Sequence, residues 1–182
     1  GGDPFIFGRG GEEAQVLHSA QIPFVVIPGI TAGIAGPAYA GIPATQRNLA
    51  TTVTLVTGHE SEDKGGGTPT LNVATLSHLL ADGGTVVFYM GVRNLADIAR
   101  QIDQSLRQLA DARKLPYSPL PVAVIEWATH PQQRTIIGDL TNIAERISAA
   151  EVRPPAIIIM GQVVALRPLL NWFETRPLFG QR

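Results

Sequence analysis

The chain predicts an α/β fold. Short apolar runs alternate with helical segments along its 182 residues. The run at 23–27 is apolar throughout rather than at every second position, which marks a strand buried on both faces. That run closes on Pro28-Gly29 and opens into a small-residue segment, the order strand, tight turn, helix of one α/β unit. The composition, 45% hydrophobic and 16% charged, is that of a globular chain long enough for one large domain or two small ones.

Residues 12–20 read as a short helix opened by acidic residues, where the helix dipole favours negative charge. After the strand at 23–27, Thr31 is placed to cap a Gly/Ala-rich helix over 32–40, with Pro37 kinking it or marking its first turn. Residues 41–48 carry turn residues without periodicity and predict a domain hinge. A strand at 52–57, a polar loop at 59–70, a helix at 73–80 and a strand at 85–89 come next. A long amphipathic helix at 95–112 leads to a proline-rich connector at 116–121. Adjacent strands at 122–127 and 134–137 suit a hairpin, which would make this sheet mixed. A helix at 141–149, a strand at 156–160 and a helix at 163–173 complete the pattern.

Charge and composition narrow the function. A net charge of −1 argues against a broad nucleic-acid footprint. Without cysteine there are no disulfides, cysteine metal sites or thiol nucleophiles. No stretch reaches the ~20 apolar residues that span a bilayer. His18, His59, His78 and His130 lack metal-ligand spacing, so no metal is expected. No Gly-x-Ser-x-Gly elbow is present.

The densest cluster of unusual residues is at the start. In Gly1-Gly2-Asp3-Pro4 the glycines let a ligand approach the main chain and the aspartate can accept from a hydroxyl or amino group; a plain surface turn would look the same. Arg9, among glycines in Phe7-Gly8-Arg9-Gly10-Gly11-Glu12-Glu13, can fork onto a carboxylate or phosphate. Glu12 and Glu13 are adjacent, a poor acid/base pair and better helix-opening residues. In Pro28-Gly29-Ile30-Thr31-Ala32-Gly33 a turn opens a helix with free N–H groups, and Thr31 either caps it or bonds a ligand. Gly65-Gly66-Gly67 lacks the lysine and spacing of a phosphate loop and reads as a flexible insertion. Tyr89-Met90-Gly91, at a strand end, offers a soft apolar contact to an aromatic or sulfonium ligand, or simply fills a core.

Taken together, these stretches resemble the tetrapyrrole methylases. The matching residues are Gly1 to Glu13, Val26-Ile27-Pro28-Gly29-Ile30-Thr31-Ala32, Gly41-Ile42-Pro43-Ala44-Thr45-Gln46-Arg47, Leu55-Val56-Thr57-Gly58-His59, Val87-Phe88-Tyr89-Met90-Gly91 and 155–166. The Gly-Arg-Gly-Gly-Glu-Glu tail of the first motif points to the branch that C-methylates uroporphyrinogen III. The resemblance implies two α/β domains with S-adenosylmethionine in the cleft between them. Residues 1–45 would be the rear part of an incomplete first domain, 46–175 the second domain with a mixed sheet, and 176–182 a tail or linker.

The resemblance also implies roles. Gly1, Gly2, Asp3, Ile6, Thr31, Ala32, Met90, Ala128 and Ala165 would contact the cofactor. Arg9 and Arg47, with Arg93 as a further candidate, would offer countercharge to a carboxylate-ringed tetrapyrrole substrate. Ala128 stands where relatives often carry glycine, and Gln46 where they often carry histidine. The implied reaction gives precorrin-2 and S-adenosylhomocysteine, toward siroheme or cobalamin, in a cytoplasmic homodimer with no nucleic-acid or membrane partner. Catalytic residues are expected upstream of Gly1, so the chain is expected to be a fragment, and residues 176–182 resemble a junction to a uroporphyrinogen-III synthase domain. Another cobalamin-pathway methylase, or an inactive cofactor-binding or dimerising fragment, stands as the alternative.

Overall fold

The computed structural model describes residues 2–58 and 71–175. The readings placed on Gly1, His59, Gly65-Gly66-Gly67 and 176–182 lie outside them. The helices are α1 (Gly10–Ser19), α2 (Ala32–Tyr39), α3 (Val73–Ala81), α4 (Leu95–Arg113), α5 (Ile143–Ala149) and α6 (Arg167–Leu170). The strands are β1 (Thr52–Thr57), β2 (Gly84–Tyr89), β3 (Pro121–Glu126), β4 (Arg134–Asp139) and β5 (Ala156–Met160).

One five-stranded mixed sheet runs in the order β1-β2-β5-β3-β4. β1 and β2 are parallel, Thr57 opposite Tyr89. β5 is antiparallel to both neighbours, with Phe88 opposite Ile158 and Glu126 opposite Ala156. β3 and β4 form the antiparallel hairpin that the sequence suggests. The ends of β1, β2 and β3 therefore share one edge of the sheet with the start of β5.

The sheet is buried on both faces, which is why its central strands are unbroken apolar runs. On one face Val86, Phe88, Val122, Val124, Ile158 and Met160 pack with residues of α3, α4 and α5. Leu95, Ile98, Ala99, Ile102 and Leu106, three or four apart, form the buried stripe of α4. On the other face Val87, Tyr89, Ala123, Ile125, Ile157 and Ile159 meet Ala40, Ile42, Val163 and Val164. Helix α2 thus seats on this sheet, Gly36 facing Ile157 and Ala128.

Three expected elements differ. Residues 23–27 form no strand; Val25 is 86% and Ile27 78% exposed. A strand exists only with a hydrogen-bonded neighbour, and no described segment pairs with this one. The helix at 163–173 divides into a 3-10 turn, Gln162–Leu166, and the short α6. Pro168 has no N–H and is favoured in a first turn, where the new helix starts. Pro37 lies inside α2, past its first turn. Among the described residues no helix is long and apolar enough to cross a membrane, and no group of three or more acidic or histidine side chains could hold a metal ion.

Candidate functional site

A cavity of about 690 Å³ opens at the sheet edge where β2 and β3 end and β5 begins. Its walls are Ala32 from α2, Tyr89-Met90 and Val92-Arg93 after β2, Ile125 and Trp127-Ala128 at the end of β3, His130, and Pro154 to Ile157 leading into β5. The size suits a drug- or nucleotide-sized molecule, and the lining is mainly apolar with a few polar groups, as ligand pockets are. Met90 adopts a left-handed backbone (φ 55°) and stands 56% exposed. The same left-handed geometry at Trp127 and Thr129 turns the chain sharply around Ala128.

Tyr89 ties the cavity to the glycine-rich N-terminal segment. Its buried hydroxyl accepts from the Gly33 N–H at 2.6 Å and shares a 2.6 Å hydrogen bond with the Thr31 hydroxyl. Thr31 therefore does not cap α2 with its side chain; the phenol supplies the acceptor that the second N–H of the helix needs. A Cβ at residue 33 would lie 2.5 Å from that phenol oxygen, so glycine is required for the close approach. The Phe7 ring packs on the Tyr89 ring, centroids 4.8 Å apart.

The Gly-Asp-Pro loop is braced by its own aspartate. Asp3 Oδ1 accepts from the Phe5 N–H at 2.8 Å and Oδ2 from the Gly29 N–H at 3.0 Å. A Cβ at residue 29 would collide with the Gly2 carbonyl oxygen, so Gly29 lets the two loops touch. Gly2 itself sits beside Ile30 and Thr31 (φ 96°). Ile6 lies in the same turn, its N–H on the Asp3 carbonyl at 3.3 Å, and is 38% exposed.

Of the residues singled out in the sequence, Ala32, Met90, Ala128 and Arg93 line the cavity. Thr31 is joined to it through Tyr89, and Gly2 and Asp3 through the turn at Ile30 and Gly29. Ala165 does not line this cavity. It lines a second cavity with Pro121, Ile137, Arg167 and Trp172. The reason is the direction of β5. Met160 pairs with Val86 and Val122, early in their strands, so the chain leaves β5 at the far edge of the sheet and carries Ala165 there. Arg9 is exposed and holds Glu12 through Nε and Nη2, at 2.9 and 2.6 Å, which raises the arginine and lowers the glutamate from their ordinary pKa values. Arg47 is exposed beside the Gln46–Ala50 bridge.

Sequence reasoning missed Trp127, His130 and Pro154-Pro155 as lining residues, and the hydroxyl of Tyr89 as a bond between segments. The Pro-Pro pair before an apolar run was the one visible signal. The cavity-side turn is anchored by Glu126, which accepts from the Arg153 N–H at 2.7 Å and from Arg134 Nε. The Arg134 hydrogen bond is the main cause holding its carboxyl below the usual range, against the opposing effect of burial.

The fold is thus an α/β lobe with an apolar cavity at its strand ends, approached by glycine-rich loops. A family model for Tetrapyrrole (Corrin/Porphyrin) Methylases matches residues 1–144, and the chain belongs to that family. It is 42% identical over 181 residues to a uroporphyrinogen-III C-methyltransferase of Bacillus subtilis, covering 100% of this chain and 34% of that protein. It is 44% identical over 164 residues to a uroporphyrinogen-III C-methyltransferase of Methanocaldococcus jannaschii, covering 90% of this chain and 62% of that one. The crystal structure of uroporphyrin-III C-methyl transferase from Thermus thermophilus complexed with S-adenosylhomocysteine superposes with a TM-score of 0.67 at 34% identity, over 91% of this chain and 65% of that one. The chain thus spans from about a third to under two thirds of the relatives it matches.

Proposed function

We propose that this chain forms the cofactor-holding part of an S-adenosylmethionine-dependent C-methyltransferase that converts uroporphyrinogen III to precorrin-2. The convergence of Ala32, Met90 and Ala128, distant in sequence, on one apolar cavity carries this reading. The relatives in Bacillus subtilis and Methanocaldococcus jannaschii are named for C-methylation of uroporphyrinogen III, and the Thermus thermophilus structure holds S-adenosylhomocysteine. The residues fit such a ligand. Met90, Trp127 and Pro155 give apolar contact area, while Gly2 and Asp3 bring main-chain and carboxylate groups to the turn that precedes Ala32.

When bound, S-adenosylmethionine supplies a methyl group already activated by its sulfonium. The residues of this chain bind, orient and exclude water around it. Arg93 at the cavity wall, with Arg9 and Arg47 on the surface, offers countercharge to substrate carboxylates. Arg9 must release Glu12 to do so. The two-domain division at residue 45, a homodimer and a cytoplasmic setting belong to the same reading.

Calorimetry with S-adenosylhomocysteine tests it beside a methyl-transfer assay on uroporphyrinogen III. Met90→Ala, at an exposed position, should weaken binding by about 3- to 10-fold without changing the melting temperature. Binding without turnover leaves a cofactor-binding module; failure of the wild-type chain to bind sinks the cofactor reading.

A further inference from the structure

The turn that carries Ala128 is held by a chain of buried polar groups that begins on the last described segment. Trp127 (φ 50°) and Thr129 (φ 69°) flank Ala128 in a conformation that non-glycine residues avoid, so something must hold them there. The Thr129 N–H donates to Gln133 Oε1 at 2.7 Å. Gln133 is a buried primary amide, with one accepting end and one donating end. Which end meets Thr129 is decided at the other: Gln133 Nε2 donates to Glu174 Oε1 at 3.0 Å.

A carboxylate only accepts. It therefore fixes the amide with its oxygen toward Thr129. The flipped amide would set NH₂ against N–H at one end and C=O against carboxylate at the other. Glu174 is fixed in turn. Thr135 Oγ1 donates to the same oxygen, and Arg167 Nη2 donates to Oε2 at 2.6 Å. Arg167 also donates to the Ala40 carbonyl, just past α2. The Arg167 and Glu174 side chains are only 10% and 19% exposed, where hydrogen-bonded charges are directional and little screened.

We propose that Glu174 is a positioning residue for the cavity: through the amide of Gln133 it sets the Trp127–Thr129 turn, and with Arg167 it ties that turn to the end of α2. Both walls are addressed at once, because the opposite end of α2 carries Thr31 and Ala32. The hydrogen bonds of Glu174 run to Gln133, Thr135 and Arg167, none of which lines this cavity, so it acts at two removes. Its consequence for S-adenosylhomocysteine rests on the cofactor reading above; the setting of the turn does not.

The test uses Glu174→Gln, near-isosteric and able to present either end to Gln133, together with Gln133→Met and the double variant. Hydrogen exchange at the Thr129 amide should speed about tenfold or more in Glu174→Gln, with exchange in β2 unchanged. S-adenosylhomocysteine affinity should fall about 3- to 10-fold in either single variant and no further in the double. Unchanged Thr129 exchange overturns the proposal. So does an additive loss of affinity in the double variant, which would mean that Glu174 acts through Arg167 alone. Should Glu174→Gln fail to fold, Gln133→Met decides alone, because the Arg167–Glu174 pair stays intact in it: an unperturbed Thr129 amide there overturns the proposal. If the wild-type chain binds no S-adenosylhomocysteine, the cofactor reading fails while the Thr129 exchange still decides the positioning role.

Discussion

Tyr89 does three jobs with one ring: it walls the cavity, packs on Phe7, and satisfies the first turn of α2 through its hydroxyl. Tyr89→Phe keeps the ring and removes the hydroxyl, leaving the Gly33 N–H and Thr31 hydroxyl buried without that partner. The chain should lose about 1–3 kcal/mol, read from its urea midpoint. Glu126 predicts a pH effect. Its carboxyl is held low in the fold, chiefly by Arg134, so the stabilisation is complete above the ordinary carboxylate range and fades as pH falls through the depressed value. Glu126→Gln should therefore flatten the acid limb of a stability–pH curve; a limb identical to wild type would refute this. Met90 was legible as a cavity residue because it stands at the end of an apolar run beside a glycine turn, and Ala32 through the resemblance of its motif. The Tyr89–Thr31 bond was not, because its partners lie 58 residues apart and neither residue type signals the other.

The elements divide by what they pack against. Strands β1, β2 and β5 and helices α3 and α4 fall at or near the residues their patterns predict, since apolar runs and a 3–4 periodicity report burial directly. Residues 23–27 are as apolar as β5 yet form no ladder, because pairing is a property of two segments and a pattern describes only one. The contrast is measurable. Ile158→Ala, in a fully buried position of β5, should cost about 2–5 kcal/mol by denaturant unfolding. Val25→Thr should stay within about 0.5 kcal/mol, because that side chain is 86% exposed. Equal costs would mean that 23–27 packs as tightly as the sheet. The division of 163–173 into two short helices was foreseeable from Pro168, whose ring the apolar periodicity of that segment masks.

At the scale of the molecule, the cavity is made by parts that are otherwise far apart: α2, the ends of β2 and β3, and the start of β5. A ligand there links them and should stabilise the whole lobe by mass action, about 2.7 kcal/mol at a concentration 100 times its Kd. A rising melting temperature across an S-adenosylhomocysteine titration checks this; a flat series would place the ligand elsewhere or nowhere. The α/β class and the mixed sheet were legible from element order, but the direction of β5 was not, and that direction carries Ala165 to the second cavity. The position of β5 also governs how the chain can be made. It lies between β2 and β3, yet of the five strands it is the last to leave a ribosome. Until residue 160 has emerged, β1-β2 and β3-β4 are two separate ribbons, each with an apolar edge waiting for the same insert. Translation must reach residue 160 before the sheet can close. The nascent protein thus passes through a stage in which pairing with another copy competes with completion of its own fold.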